Sequence, residues 1–467
     1  MTRRGYSRRT LAWFVLAYTA FGWVFPTALA LSGLRVEGDA PWVLLALLHV
    51  AAARLAWLSV VREDYRNLLD VAFWVFIYVF FGIAAVFQRL AGVFPWSPLG
   101  ISGDELLRAD LVLVFGVIAY VVGRVVAPRR GLRDVEASTG HRRVLMASIV
   151  VAVVWPLTYI ALFGLDAIVV DRVTRGGLIS DVAGDPTTRT FIGSLLSVPP
   201  MVLLPALLLL RGTTRYRRVL VLTVLGLIVA NLVINNFVNS ARYTSGTVLL
   251  ASVFAFLVAS KQRQRWLRFA PAAFIVGMTL VFPFADAFRS IYQRFEPRPV
   301  VDLLVAKGDY DAYLQIVNAV RYVDAHGVMD GVNIVGVAGF WVPRAVWPGK
   351  PRPTGEYLAE HAGFTYTNLS APLWAEGFAA YGLLGVVLVL AAWGFVSGVL
   401  DASLRAHMWT DRRGVAPVVV LAVIMAAYAL FLIRGALMPT VAYIVPVLLI
   451  LAVLVRLRVF ETQSDAR

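Results

Sequence analysis

The chain contains no cysteine, which excludes disulfides, thiol nucleophiles and thiolate metal sites. Charge is scarce as well: only 15% of residues are Asp, Glu, Lys or Arg, too few for a disordered chain or an ordinary soluble globule. Histidine occurs five times, and no HExxH, paired-His or P-loop pattern is present, so the sequence indicates neither ATP nor a catalytic metal and implies no cofactor. Lysine is rare, and nearly all basic residues are arginine. Internal repeats, heptad arrays and low-complexity segments are also missing.

What is abundant is apolar surface. Of 467 residues 60% are hydrophobic, and the mean hydropathy is +0.76. Twelve apolar runs near 20 residues stand out, at 11–32, 41–60, 70–90, 109–127, 144–163, 191–210, 217–234, 245–260, 269–286, 373–399, 415–433 and 438–456. Each is long enough to cross a hydrocarbon core of roughly 30 Å. The first is too long for a signal-peptide core and lacks a small-residue cleavage site, so it reads as a retained helix. The expected fold is an all-α polytopic membrane protein of about twelve transmembrane helices, with one large external loop carrying short helices.

A formal charge of +15 and a pI near 10.3 would point to nucleic acid in a soluble protein. Here the basic residues gather in alternate loops: before span 1, then after spans 2, 4, 6, 8, 10 and 12. The positive-inside rule makes those loops cytoplasmic, with both termini, and removes the case for nucleic acid. The chain then divides into spans 1–9 with an external loop at 164–190 (1–286), a large external loop (287–372), and spans 10–12 with a tail (373–467).

The large loop holds the chemistry. Within 311–327, Tyr313, Ile316, Val317, Val320 and Val323 form a helical stripe, suited to the membrane surface or to the bundle. The stretch 332–347 is apolar but short and broken by glycine, as in a dipping or interfacial segment. After it, "PRAVWPGKPRP" (343–353) sets Arg344, Lys350 and Arg352 among four prolines that restrict the backbone. Arginine forks and a lysine charge can hold phosphate, and Trp341 and Trp347 can stack on a sugar. The same residues equally suit an interfacial anchor on anionic lipid. Glu356, Glu360 and His361 follow, with Glu376 near the start of span 10; a carboxylate or imidazole can take a proton from a sugar hydroxyl. A buried Glu376 needs a partner, so it is either functional or paired with a nearby arginine.

Elsewhere, 166–191 carries Arg172, Arg175 and Arg189 with several aspartates, able to hold a diphosphate or to form surface ion pairs. Arg242 ends the polar turn 235–242 and lies near the mouth of any intramembrane cavity. Arg54 lies inside span 2, where arginine costs about 2.5–3.5 kcal/mol unless it snorkels. "DYD" (309–311) has a metal–nucleotide spacing but no strand before it, and is set aside.

"FWVPRAVWPGKP" (340–351) resembles the PR-x-x-W-P-x-K-P signature in the large loop of Wzy-type O-antigen and oligosaccharide repeat-unit polymerases. "SAPLWAEGFAAYGLLGVVL" (370–388) and "NSARYTSGTVLL" (239–250) are similar to two further elements of that family, and Arg344 lies eleven positions before Gly355 in an Arg-x10-Gly pattern. The loop 164–190 lacks that pattern. The resemblance implies a glycosyltransferase that uses no metal or nucleotide. It joins undecaprenyl-diphosphate-linked repeat units into O-antigen, capsule or exopolysaccharide on the outer face of the membrane, among membrane lipids, beside a flippase and a chain-length regulator. Arg344, Glu376 and Arg242 are then the expected catalytic residues. Lys350, Arg352, Arg172, Arg175, Arg189, Glu356, His361 and Trp347 are the expected substrate contacts. An O-antigen-type ligase with the same donor, or a lipid-linked oligosaccharide flippase or other transporter, fits the same topology.

Overall fold

A computed structural model describes the chain except residues 1–6, 62–63, 65, 97–99, 129–140, 171–173, 176, 178–185, 211–216, 239, 285–297, 410–414 and 461–467, and gives backbone only at 141, 186–192 and 409. Helices follow the apolar runs: α1 (Arg8–Leu31), α2 (Trp42–Val60), α3 (Leu68–Ala91), α4 (Gly103–Val126), α5 (His141–Phe163), α6 (Pro186–Leu209), α7 (Arg217–Ile234), α8 (Arg242–Val258) and α9 (Lys261–Phe284). Four short helices come next: α10 (Val300–Ala306), α11 (Ala312–His326), α12 (Val332–Ala338) and α13 (Thr354–His361). Then come α14 (Leu373–Trp409), α15 (Pro417–Arg434) and α16 (Leu437–Arg456). Among the described residues there is no strand, and the protein is all-α and polytopic. Among the described residues, ten helices are long and apolar enough to cross a membrane; two shorter apolar ones, Gly193–Leu209 and Arg242–Val258, occupy the sixth and eighth of the twelve expected positions.

Apolar residues on every side of a helix force it to the centre. That is the case for α3, buried along its whole length, and largely for α15. The start of α3 is capped from another helix: Asp401 of α14 accepts from the amides of Leu69 (3.1 Å) and Asp70 (3.2 Å). Arg124 bonds the same Asp401 at 2.7 Å, and Arg54 bonds Asp70 at 2.6 Å. The arginine inside span 2 therefore has a carboxylate partner. A Ser102–Glu105 capping box starts α4, satisfying two amides that no helical bond can reach.

The run read as one span at 373–399 is two limbs. At Tyr381 and Gly382 α14 leaves helical geometry, and Gly382 adopts φ +61°, ψ −144°, a region open to glycine alone. Limb 373–380 then folds against limb 383–409, bringing the backbones of Gly377 and Gly385 together. The indole N–H of Trp374 donates to the carbonyl of Leu113 at 3.0 Å, ten residues or roughly 15 Å along α4. The first limb thus begins deep in the bundle, its indole stacked on Phe73 and Phe76. The second limb lies against α4 through Gly123 and Gly394, where any Cβ would strike the facing backbone.

The short helices α10 to α13 are packed on the rest of the protein, whereas the hook at 341–350 is largely exposed. Residues Ala312 to Val320 of α11 are all buried, against α4 and α14, so its amphipathic stripe belongs to the bundle. Tyr313 donates to Asp110 at 2.7 Å, and Arg321 bonds Glu105 at 2.8 Å, pinning α11 to α4. The glycine-broken stretch forms α12, seated on α14 and α16.

Candidate functional site

Two groups of polar residues meet at the tight turn between α15 and α16. Arg434, the last residue of α15, reaches back to the turn before α11. Its Nε donates to the carbonyl of Asp309 (2.8 Å), and its second terminal nitrogen to the carbonyl of Gly308 (2.9 Å) and the carboxylate of Asp311 (3.1 Å). Asp311 is buried and also accepts from Ser370 (2.7 Å), Gln315 (3.1 Å) and the Trp96 indole (3.2 Å). It is fully committed to holding this turn. Asp309 points the other way, 24% exposed, between Arg242 and Lys307 at 3.3 Å each. Burial raises its pKa, but Arg434, Arg242 and Lys307 outweigh that and hold it below the usual carboxylate range.

Arg242 stands at the first position of α8, its guanidinium 5.3 Å from the Phe282 ring. The preceding turn is a hydrogen-bonded platform: Asn235 donates to the Ser197 carbonyl (2.9 Å) and Asn236 to that of Ile168 (3.0 Å). Ser240, in the same turn, accepts from Arg175 at 2.6 Å. Arg175 is itself buried near Tyr159 and Tyr443, and burial lowers its pKa. Three cations thus surround one partly exposed carboxylate, with a fourth cation two residues away through Ser240.

Beside this cluster lies a narrow cleft between α6, α8, α15 and α16, lined by Ser197, Tyr243, Thr247, Tyr428, Tyr443 and Val447 among others. Tyr243, next to Arg242, stands edge-on to Tyr443 at 4.8 Å. A cationic rim over an aromatic and aliphatic cleft suits an amphiphilic anion.

The second group surrounds Glu376 on the first limb of α14. It is buried and accepts from the amide of Leu437 (2.6 Å), from Asn333 (3.2 Å) and from the Thr354 hydroxyl. The carboxylate therefore ties α12, α13 and α16 to the limb that carries it, and its partners are hydroxyl, amide and backbone N–H groups.

In the proline-rich hook the cations bind the hook itself. Arg344, exposed, donates to the Lys350 carbonyl at 2.7 Å. Lys350 donates to Phe340 and Val342 carbonyls at 2.9 Å each, and its pKa is lowered by burial and by Arg344. Arg352 forks onto Glu360 and lies 4.8 Å from the Tyr357 ring. Trp347 packs on Gly339, while Glu356 is half-buried and its pKa is raised by that burial. His361 pairs with His326. Arg172 and the side chain of Arg189 lie outside the described residues.

Of the expected residues, Arg242 and Arg175 meet at the turn before α8, next to Tyr243 of the pocket wall; Arg344, Lys350, Arg352, Glu356, His361 and Trp347 belong to the hook and α13; Glu376, on α14, reaches the start of α16. Lys307, Asp309, Asp311 and Arg434 were absent from the expectation. The acids of "DYD" and an arginine closing an apolar span were the signals available. Comparison with family models, curated proteins and solved structures finds no significant match for the chain.

Proposed function

We propose that the protein is a membrane glycosyltransferase that extends a glycan from an undecaprenyl-diphosphate-linked donor on the outer face of a bacterial cytoplasmic membrane. The observation that carries this reading is the rim of Arg242, Lys307 and Arg434 beside an apolar, tyrosine-lined pocket. Fixed cations held by neighbouring carbonyls and carboxylates can neutralise a diphosphate as it leaves, without reorganising at that moment. The pocket accepts the first isoprenoid units of the lipid. In the reaction the bond between the anomeric carbon and the diphosphate oxygen breaks. A hydroxyl of the acceptor unit forms the new bond to that carbon, and its proton passes to the departing lipid diphosphate or to water.

Asp309 occupies the anion seat when no donor is bound, and the diphosphate takes over its cations. Arg344, Lys350 and Arg352 shape the hook that borders the acceptor sugars, with Trp347 and Trp341 available for stacking. The hook motif and the "YG" break of α14 support a polymerase of repeat units.

The test is incubation of purified protein in nanodiscs with a synthetic lipid-diphosphate repeat unit. A ladder of products in the wild type, lost in Arg242→Ala, is the expected result. No turnover of any lipid-diphosphate glycan, with intact and monodisperse protein, overturns the proposal.

A further inference from the structure

His326 closes α11 and His361 closes α13, and both are exposed. Their facing nitrogens, Nε2 of His326 and Nδ1 of His361, are 3.1 Å apart. We propose that these two imidazoles form a binding site for a divalent transition-metal ion, separate from the cationic rim and independent of the glycosyltransferase reading.

Imidazole nitrogen binds zinc at about 2.0–2.1 Å. Two nitrogens 3.1 Å apart and each at that distance subtend roughly 95–102° at the metal, between the square-planar and tetrahedral angles. Rotation of the two exposed side chains brings both lone pairs onto the metal. The hydrogen between the rings moves to the outer nitrogen of the ring that carried it, so both imidazoles bind in the neutral form.

The surroundings define the class of ion. Tyr322 flanks both rings, at 4.8 Å from His326 and 5.8 Å from His361, and Tyr357 stands behind Tyr322. Two carboxylates near the pair are already engaged, Asp324 by Arg108 and Glu360 by Arg352, while Arg321 is held by Glu105. Among the described residues no third histidine or carboxylate joins the pair in a metal-ligating group, so water completes the shell. Two nitrogen ligands with open positions favour copper, nickel or zinc over magnesium or calcium, with copper the tightest. Bound metal clamps the ends of α11 and α13 together. The start of α13 carries Thr354, which donates to Glu376, so the clamp stiffens the support of the hook.

The experiment uses full-length protein freed of any polyhistidine tag and titrated separately with copper, nickel and zinc chlorides by calorimetry. One equivalent should bind, and His326→Ala or His361→Ala should each weaken binding by about tenfold or more, since even outer partners of a metal ligand contribute roughly 10–100-fold. Pulsed EPR of the copper form should show two imidazole nitrogens, falling to one in either variant. Metal should raise the melting temperature of the wild type and not of the double variant. Uptake equal to that of the double variant, or a copper spectrum without histidine nitrogen, overturns the proposal. Both side chains are exposed, so the variants keep the fold, which size-exclusion chromatography verifies.

Discussion

Arg434 and Asp311, 123 residues apart in the chain, are joined by a hydrogen bond of 3.1 Å that fixes the end of α15 to the turn before α11. Three residues after Arg434, the amide of Leu437 donates to Glu376. One tight turn therefore anchors both the cationic rim and the limb beneath the hook.

Removing one partner of a buried ion pair leaves the other uncompensated, at a cost of about 3–5 kcal/mol. Asp311→Ala should approach that cost, because it removes the carboxylate partner of Arg434 and leaves three further donors unsatisfied. Thermal melts in detergent should show a much lower midpoint. Ser370→Ala, which removes one neutral donor, should cost only about 1 kcal/mol. Equal midpoints for wild type and Asp311→Ala would contradict the anchoring role.

Glu376 accepts from three donors, and a glutamine cannot present two acceptor oxygens to them. Glu376→Gln should therefore be destabilising, by about 1–3 kcal/mol for the donors left unsatisfied. Pairing it with Thr354→Val should recover part of the loss, because one stranded hydroxyl is removed. A double-mutant cycle reads the coupling; additive effects would argue against a direct bond.

The depressed pKa of Asp309 predicts the direction of a pH effect. A carboxylate with a lowered folded-state pKa contributes stability that is present above its unfolded value, about 3.9, and lost as pH falls through the folded value. Wild type should exceed Asp309→Asn in melting temperature at pH 5–7, and the gap should close below pH about 4. A gap that widens on acidification would sink this assignment.

Gly382 sits at φ +61°, ψ −144°, where a side chain costs about 1–3 kcal/mol. Gly382→Ala should lower the melting temperature accordingly. Gly377→Ala and Gly385→Ala should do the same, because a Cβ at either position would meet the backbone of the other limb. A wild-type melting temperature in both variants would mean that α14 is continuous.

On the proposed function, Arg242→Ala and Arg344→Ala should differ. Arg242→Ala should abolish binding of the lipid-diphosphate donor, measured by native mass spectrometry. Arg344→Ala should leave donor binding intact and cut chain extension roughly a hundredfold, the cost of misplacing a positioning element. Loss of donor binding in both would place the hook in the diphosphate seat instead.

The membrane-spanning helices were legible in the sequence because a spanning helix must satisfy its own backbone bonds and cover about 30 Å with apolar side chains, both properties of a local stretch. The proline-ordered hook was equally local, since proline restricts its own φ. The break in α14 was hidden, because Tyr381 and Gly382 interrupt a run that stays apolar on both sides. The partners of charge were hidden too. Arg54 looked costly until Asp70 stood beside it, and "DYD" carried no meaning until Arg242, Lys307 and Arg434 surrounded it. His326 and His361 are 35 positions apart, and only the packing of α11 against α13 brings their nitrogens within 3.1 Å. Hydrophobicity and backbone restriction act residue by residue, so the sequence alone determined them. Charge pairing and ligand geometry depend on distances between remote segments, and those only the tertiary structure decided.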